Sequence, residues 1–70
     1  MLRTSVVSSN LASVGYDPTT QMLEVEFRNG SVYQYSFVPE AVYRGLMTAG
    51  SHGTYFSAFI RNVYPYRQIR

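Results

Sequence analysis

The amino-acid sequence predicts an α+β fold, in which a three-stranded antiparallel β-meander is followed by two C-terminal α-helices packed on one sheet face. Two runs of alternating apolar and polar residues flank Asn29-Gly30, and this period of two is typical of strands joined by a hairpin. Pro39 interrupts the alternation, and the residues after it change to helical spacing. Because the strands precede the helices, the order favours an α+β layer over alternating βα units.

The first strand is predicted over residues 11–16, which end at the turn signal Asp17-Pro18. Its apolar positions are Leu11, Val14 and Tyr16. The second strand follows this turn, and there Glu24 and Glu26 alternate with apolar residues. We expect these two glutamates to face solvent.

The hairpin between the second and third strands admits two registers. A two-residue loop would pair Val25 with Gln34 and would place the tyrosines of the third strand beside the glutamates. A three-residue loop over residues 28–30, with Gly30 left-handed in a bulge, would pair Val25 with Tyr33. Only the second register makes one face wholly apolar. Because a slip of one residue moves every side chain to the other face, we expect burial to select it.

Tyr33 and Tyr35 have two interpretations. If they face outward, they form a platform on which the bases of single-stranded RNA stack. If they face inward, they pack beneath Phe56 and Phe59. An outward platform would also carry glutamates, whose charge repels phosphate, so we expect the core position.

The first helix is predicted to begin at Pro39, since proline is favoured at the first helical position, where its missing donor is not needed. Gly50 is expected to end this helix as a left-handed cap. The apolar positions between them are Val42, Leu46 and Ala49, with Tyr43 and Met47 beside them.

The second helix carries the clearest helical pattern in the chain. Its apolar stripe at positions i, i+3, i+4 and i+7 is Phe56, Phe59, Ile60 and Val63. Ser51 or Thr54 can cap its start, and Pro65 stops it. An anion site over residues 51–54 is the alternative to a simple cap. We interpret His52 as a solvated turn residue.

Composition limits the class of protein. Seventy residues, 46% of them hydrophobic, predict a single domain over residues 1–70, of which residues 1–8 and 65–70 are expected to be flexible. The absence of cysteine excludes disulfides and thiolate metal sites, and it fits the cytoplasm. Residues 1–14 lack the continuous apolar stretch of a signal peptide or membrane helix, so we expect a cytoplasmic protein with no membrane partner.

Charge is distributed unevenly along the chain. Residues 1–40 contain all four acidic residues, whereas residues 41–70 contain four arginines and no acid. All six basic residues are arginine, whose planar guanidinium binds phosphate and stacks on aromatic rings. The arginine bias of a GC-rich genome is the alternative explanation.

Several short motifs, in this order and spacing, resemble the KTSC domain family. They are Ser8-Ser9-Asn10-Leu11, Val14-Gly15-Tyr16-Asp17, Leu23-Glu24-Val25-Glu26-Phe27, Gly30, Tyr33-Gln34-Tyr35, Val38-Pro39, Ala49-Gly50-Ser51-His52-Gly53, Tyr55-Phe56 and Ile60-Arg61. The resemblance implies a small domain that occurs alone in bacteria and at the C-terminus of some lysyl-tRNA synthetases. For this family RNA binding has been suggested and no function is established. We expect a small bacterial or phage protein of the stand-alone form.

The leading functional hypothesis is a non-catalytic binding module with weak, salt-sensitive affinity for RNA or tRNA. Its predicted nucleic-acid-binding residues are Arg44, Arg61, Tyr66, Arg67 and Arg70. Four arginines would make at most about four phosphate contacts, which gives a log-log salt slope near −3 on single strands.

The alternative hypothesis is a protein-interaction module or homodimer with no nucleic-acid role, because tyrosine and arginine are enriched at protein interfaces. An enzyme is the least favoured reading, since the chain has no cysteine, no lysine and a single histidine. We therefore predict no catalytic residue, no metal site, no cofactor and no small-molecule substrate.

Overall fold

The computed structural model describes all residues, 1–70, and has one antiparallel sheet with two helices. In chain order the elements are β1 (Thr4–Ser5), β2 (Leu11–Asp17), β3 (Met22–Phe27), β4 (Val32–Tyr35), α1 (Glu40–Thr48), α2 (His52–Phe59) and β5 (Tyr66–Gln68). The sheet order is β1-β2-β3-β4-β5. The α+β class is confirmed, but the sheet has five strands rather than three. The predicted meander is β2 to β4, and each end of the chain adds a short edge strand.

The hairpin between β3 and β4 adopts the register that the apolar pattern favours. Val25 lies opposite Tyr33, and Leu23 lies opposite Tyr35. Gly30 has a φ of +91° and donates its backbone N–H to the Phe27 carbonyl at 2.9 Å. The three-residue loop is therefore confirmed, and the alternating apolar side chains of both strands share the face that the helices cover.

A β-bulge in β2 keeps its apolar residues on that same face. The register between β2 and β3 shifts between Leu11 and Ser13. A bulge adds one residue to a strand and so changes which side chains face the core. Leu11 and Val14 are consequently both buried, although they are three residues apart.

The core lies between the sheet and the two helices. Its buried residues are Leu11, Val14, Leu23, Val25, Tyr35, Val38, Leu46, Phe56 and Ile60. The predicted stripe of α2 is only half right, because Phe56 and Ile60 are buried while Phe59 and Val63 are 55% and 57% exposed. The helix ends at Phe59 and Ile60 leaves helical geometry, with φ −120° and ψ −50°, so later residues lose the helical phase.

The connection between the helices differs from the prediction. Ser51 caps α2 as expected, since its hydroxyl accepts a hydrogen bond from the Thr54 N–H at 3.2 Å. Gly50 does not have a positive φ, so the predicted left-handed cap is wrong. The chain instead leaves α1 through extended backbone at Ala49. His52 is half-buried rather than solvated, with its Nδ1 2.7 Å from the Leu46 carbonyl oxygen, so it satisfies an end group of α1.

The face of the sheet opposite the helices carries a charged network. Glu24 is buried, contrary to the expectation that it faces solvent. Its carboxylate accepts hydrogen bonds from Arg3 and from the Gln34 amide. Glu26 pairs with Arg70 at 2.9 Å. Glu24 and Glu26 therefore bind side chains from the two ends of the chain to the middle of the sheet.

Candidate functional site

A cleft of about 670 Å³ opens between the β3–β4 hairpin, α2 and β5. Five aromatic side chains are among its 15 lining residues. They belong to Phe27, Tyr33, Tyr35, Phe56 and Tyr66. Its size is within the range of small-molecule and cofactor pockets.

Strand pairing determines where these rings lie. Tyr33 and Tyr35 are two residues apart on β4, so both project toward the helices, with ring centroids 6.4 Å apart. Tyr66 pairs with Tyr35 across β4 and β5, and their ring centroids are 5.6 Å apart. Phe56 from α2 meets the Tyr35 ring edge-on at 5.5 Å. One cluster of rings thus belongs partly to the core and partly to the cleft.

Tyr35 is the most buried tyrosine of the cleft, with 4% of its surface exposed. Its hydroxyl has no hydrogen-bond partner within the chain. Every fully buried side-chain polar atom in the structure has a hydrogen-bond partner. The Tyr35 hydroxyl has none, so it is not fully buried, and it is accessible from the cleft that Tyr35 lines. Burial raises the pKa of Tyr35 to about 12, with Tyr33 and Tyr66 adding to the effect and Arg61 opposing it. The group is therefore a neutral hydroxyl at physiological pH.

Two arginines, Arg28 and Arg61, line the cleft, and none of its 15 lining residues is acidic. The Arg28 Nε donates to the Ser8 carbonyl at 2.9 Å, which orients the guanidinium. Arg61 follows α2, and its guanidinium forms no ion pair or hydrogen bond within the chain. The arginines that pair with glutamates are Arg3, Arg44 and Arg70. Of the three arginines without a glutamate partner, Arg28 and Arg61 lie at the cleft and Arg67 lies on the opposite sheet face.

The structure brings together two of the five predicted nucleic-acid-binding residues. Arg61 and Tyr66 line the cleft. Arg44 lies on α1 and pairs with Glu40 at 2.8 Å. The other two project from the opposite sheet face: Arg67 lies opposite Gln34 in the register, and Arg70 pairs with Glu26. Neighbouring residues of a strand point to opposite faces, which separates Tyr66 from Arg67.

Arg28, Tyr33 and Tyr35 complete the cleft and were absent from the predicted set. The Tyr-x-Tyr alternation was a signal for the two tyrosines, since it puts both rings on one face. Arg28 lies in the hairpin loop, and its Nε bond to Ser8 joins residues 20 apart in the chain. No local sequence pattern reports such a contact.

No group of three or more histidine, cysteine, aspartate or glutamate side chains comes together in a form that could hold a metal ion. Neither helix has the length and apolar content needed to span a membrane.

Comparisons with known proteins agree on one family. A model of the KTSC domain matches residues 7–64. The crystal structure of a KTSC domain protein from Yersinia pestis superposes with a TM-score of 0.94 at 41% sequence identity, covering 99% of this chain and 97% of that one.

Two kinds of sequence relative are found. An uncharacterized protein of Stutzerimonas stutzeri is 47% identical over 70 residues, which cover 99% of both chains. A lysine–tRNA ligase of Nostoc is 46% identical over 54 residues, which are 77% of this chain and 10% of the ligase. The chain thus resembles whole small proteins and also a short segment of a much larger enzyme. It belongs to the KTSC domain family, as the resemblance of its motifs predicted.

Proposed function

We propose that this protein is a small non-catalytic binding module whose aromatic cleft takes single-stranded nucleic acid, RNA in particular, with weak affinity. The observation that supports it most is the composition of the cleft: five aromatic rings, two arginines and no acid. A base stacks on the rings, while Arg28 and Arg61 contact the phosphates on either side of it.

The aromatic rings supply the affinity in this proposal. Base stacking on an aromatic side chain contributes about 1–3 kcal/mol per base and tolerates any sequence. Tyr33 and Tyr66 are the less buried tyrosines of the cluster and can offer ring surface to a ligand. A base in a duplex is already stacked on its neighbours, so we expect the cleft to prefer single strands, loops and ends.

The arginines supply the salt dependence. Two phosphate contacts on a single strand give a log-log salt slope of about −1.4, whereas four give about −3. A longer strand that met Arg44, Arg61, Arg67 and Arg70 would give the steeper value. The slope therefore distinguishes a cleft from the wider arginine surface that the sequence suggested.

The relatives give independent support for RNA as the partner. A segment similar to this chain occurs in a lysine–tRNA ligase of Nostoc, an enzyme whose name identifies tRNA as its substrate. The proposal transfers only the RNA context to this chain, and it keeps the cytoplasmic location that the lack of cysteine favours.

The experiment is a titration of the protein into fluorescently labelled single-stranded RNA and into tRNA, followed by anisotropy at low and moderate salt. We expect saturable binding that weakens with a slope between about −1 and −2. A duplex of the same sequence serves as the control and should bind less tightly. Absence of binding at low salt would overturn the proposal.

Self-association is the second candidate function. The observation in its favour is that Phe59 and Val63, large apolar residues near the end of α2, are more than half exposed. Sedimentation would then detect a dimer that is insensitive to salt and is lost in Phe59→Ser. A monomer at all concentrations would exclude this candidate.

A further inference from the structure

The Tyr35 hydroxyl is a polar group at the cleft whose hydrogen-bonding capacity the fold does not use. A polar group that lines a cleft and has no partner within the chain is available to a ligand. Tyr33, two residues earlier on the same strand, donates its hydroxyl to the Gln68 Oε1 at 3.2 Å. The two tyrosines thus have similar positions, but only one has a free hydroxyl facing the cleft.

We infer that the Tyr35 hydroxyl is the polar contact for one unstacked nucleobase, which enters the cleft and hydrogen-bonds to it through its edge. This inference rests on the proposed function and adds a recognition residue to it. The base lies against the rings of Tyr33 and Tyr66, and the Arg61 guanidinium near the Tyr35 hydroxyl holds an adjoining phosphate.

A base fits this position better than a phosphate does. The hydroxyl is neutral and lies on the most buried tyrosine of the cleft, where a full negative charge would lose its hydration. One neutral donor does not compensate that loss. A carbonyl or ring nitrogen of a base needs only one hydrogen bond and gains from contact with the rings. The phosphates therefore belong to Arg28 and Arg61.

Tyr35→Phe and Tyr43→Phe form a matched pair for the test. Each removes one oxygen and keeps the ring. Tyr35→Phe deletes the free hydroxyl at the cleft, whereas Tyr43→Phe deletes one on α1, and Tyr43 does not line the cleft. Thermal unfolding of both variants checks that each one folds.

The probes are an octamer of uridines and the same ribose-phosphate backbone without bases, each measured by anisotropy at one low salt concentration. We expect Tyr35→Phe to bind the octamer about three- to tenfold more weakly, the contribution of one neutral hydrogen bond. Its affinity for the abasic backbone should be unchanged. Tyr43→Phe should bind both probes within about twofold of the wild type.

The possible results separate this inference from the proposal beneath it. Equal octamer affinity of wild type and Tyr35→Phe overturns the role of Tyr35 and leaves the cleft as a binding site. Equal weakening on both probes overturns it as well, because the hydroxyl would then contact the backbone. No octamer binding by the wild type overturns both. As a second measurement, uridine monophosphate should shift the ring signals of Tyr35 in NMR spectra, and unshifted signals would contradict the contact.

Discussion

Tyr35 lies directly opposite Leu23 across β3 and β4, so its ring is on the same face as the most buried apolar side chains of the sheet. The ring packs edge-on against Phe56 while its hydroxyl end reaches the cleft. Core and candidate site therefore share this residue. Of the two positions considered for the Tyr-x-Tyr pair, the inward one is observed.

The hairpin register depends on the left-handed Gly30. We expect Gly30→Ala to destabilise the fold by about 1–2 kcal/mol, because a Cβ at a φ of +91° is strained even in open space. Gly50→Ala is the matched control, since a Cβ at Gly50 would also meet no atom within 4 Å, but Gly50 does not have a positive φ. Urea unfolding should leave the control within about 0.5 kcal/mol of the wild type. Equal effects of the two changes would contradict this explanation of the turn.

Glu24 makes the stability of the fold acid-sensitive. Burial alone would raise its pKa, but hydrogen bonds from Gln34 and Arg3 and the charge of Arg3 hold the pKa below its usual value of 4.5. A lowered folded-state pKa means that the contribution is complete above pH 4.5 and is lost as the pH falls through the lowered value. Glu24→Gln should flatten the stability profile in that acid range.

At neutral pH, Glu24→Gln should destabilise the protein by about 1–2 kcal/mol, because Arg3 loses a charged hydrogen-bond partner. Glu40→Gln is the control, since its pair with Arg44 is exposed on α1 and should contribute less than about 0.5 kcal/mol. Unfolding curves from pH 3 to 7 test both variants. A Glu24→Gln profile parallel to that of the wild type would be inconsistent with this role.

Phe37 carries backbone strain that its side chain does not offset. It has a φ of +64° and is 70% exposed. We expect Phe37→Gly to stabilise the protein by about 0.5–1 kcal/mol. Glycine removes the strain of the left-handed backbone, and this gain in free energy is larger than the cost of the extra entropy that glycine has in the unfolded chain. Phe59→Gly, an exposed aromatic with helical backbone at the end of α2, should have the opposite sign. Thermal unfolding of both variants gives the comparison, and a destabilised Phe37→Gly would refute it.

Tyr35 should be the last of the seven tyrosines to ionise, since burial first and its tyrosine neighbours second raise its pKa to about 12. Because the folded-state pKa of this phenol is raised, its contribution to stability is complete below the ordinary pKa of 10.0. That contribution is lost as the pH rises toward 12. Absorbance titration at 295 nm should show this late phase in the wild type. Tyr35→Phe should lack this late phase. If the phase persists in the variant, it belongs to another tyrosine.

The central part of the fold could be predicted from the sequence because burial selects among a few alternatives. Leu23, Val25, Tyr33 and Tyr35 give one apolar face only in the three-residue register, and that is the observed one. The edge strands could not be predicted. β1 has two residues and β5 has three, which is too few for a period of two to be visible. Their pairing depends on long-range contacts such as Val32 with Ile69.

The ends of the helices were predicted less well, because tertiary contacts determine them. Gly50 was the best local signal for the end of α1, yet an extended Ala49 and the contact of His52 with the Leu46 carbonyl end it. The predicted site residues are separated in the structure for a similar reason. Tyr66 and Arg67 are neighbours in the sequence, but strand alternation puts only Tyr66 into the cleft.

We propose that the nucleic-acid contact lies at the cleft and not on a dispersed arginine surface. The most direct measurement compares Arg61→Ala with Arg44→Ala by anisotropy on the same single-stranded RNA, with circular dichroism to check the fold. Arg61 has no partner in the chain, so we expect its loss to weaken binding about tenfold, and to make the salt slope shallower by about 0.7. Arg44, paired with Glu40 outside the cleft, should change binding by less than about twofold. Equal losses in the two variants, or none in Arg61→Ala, would contradict the claim.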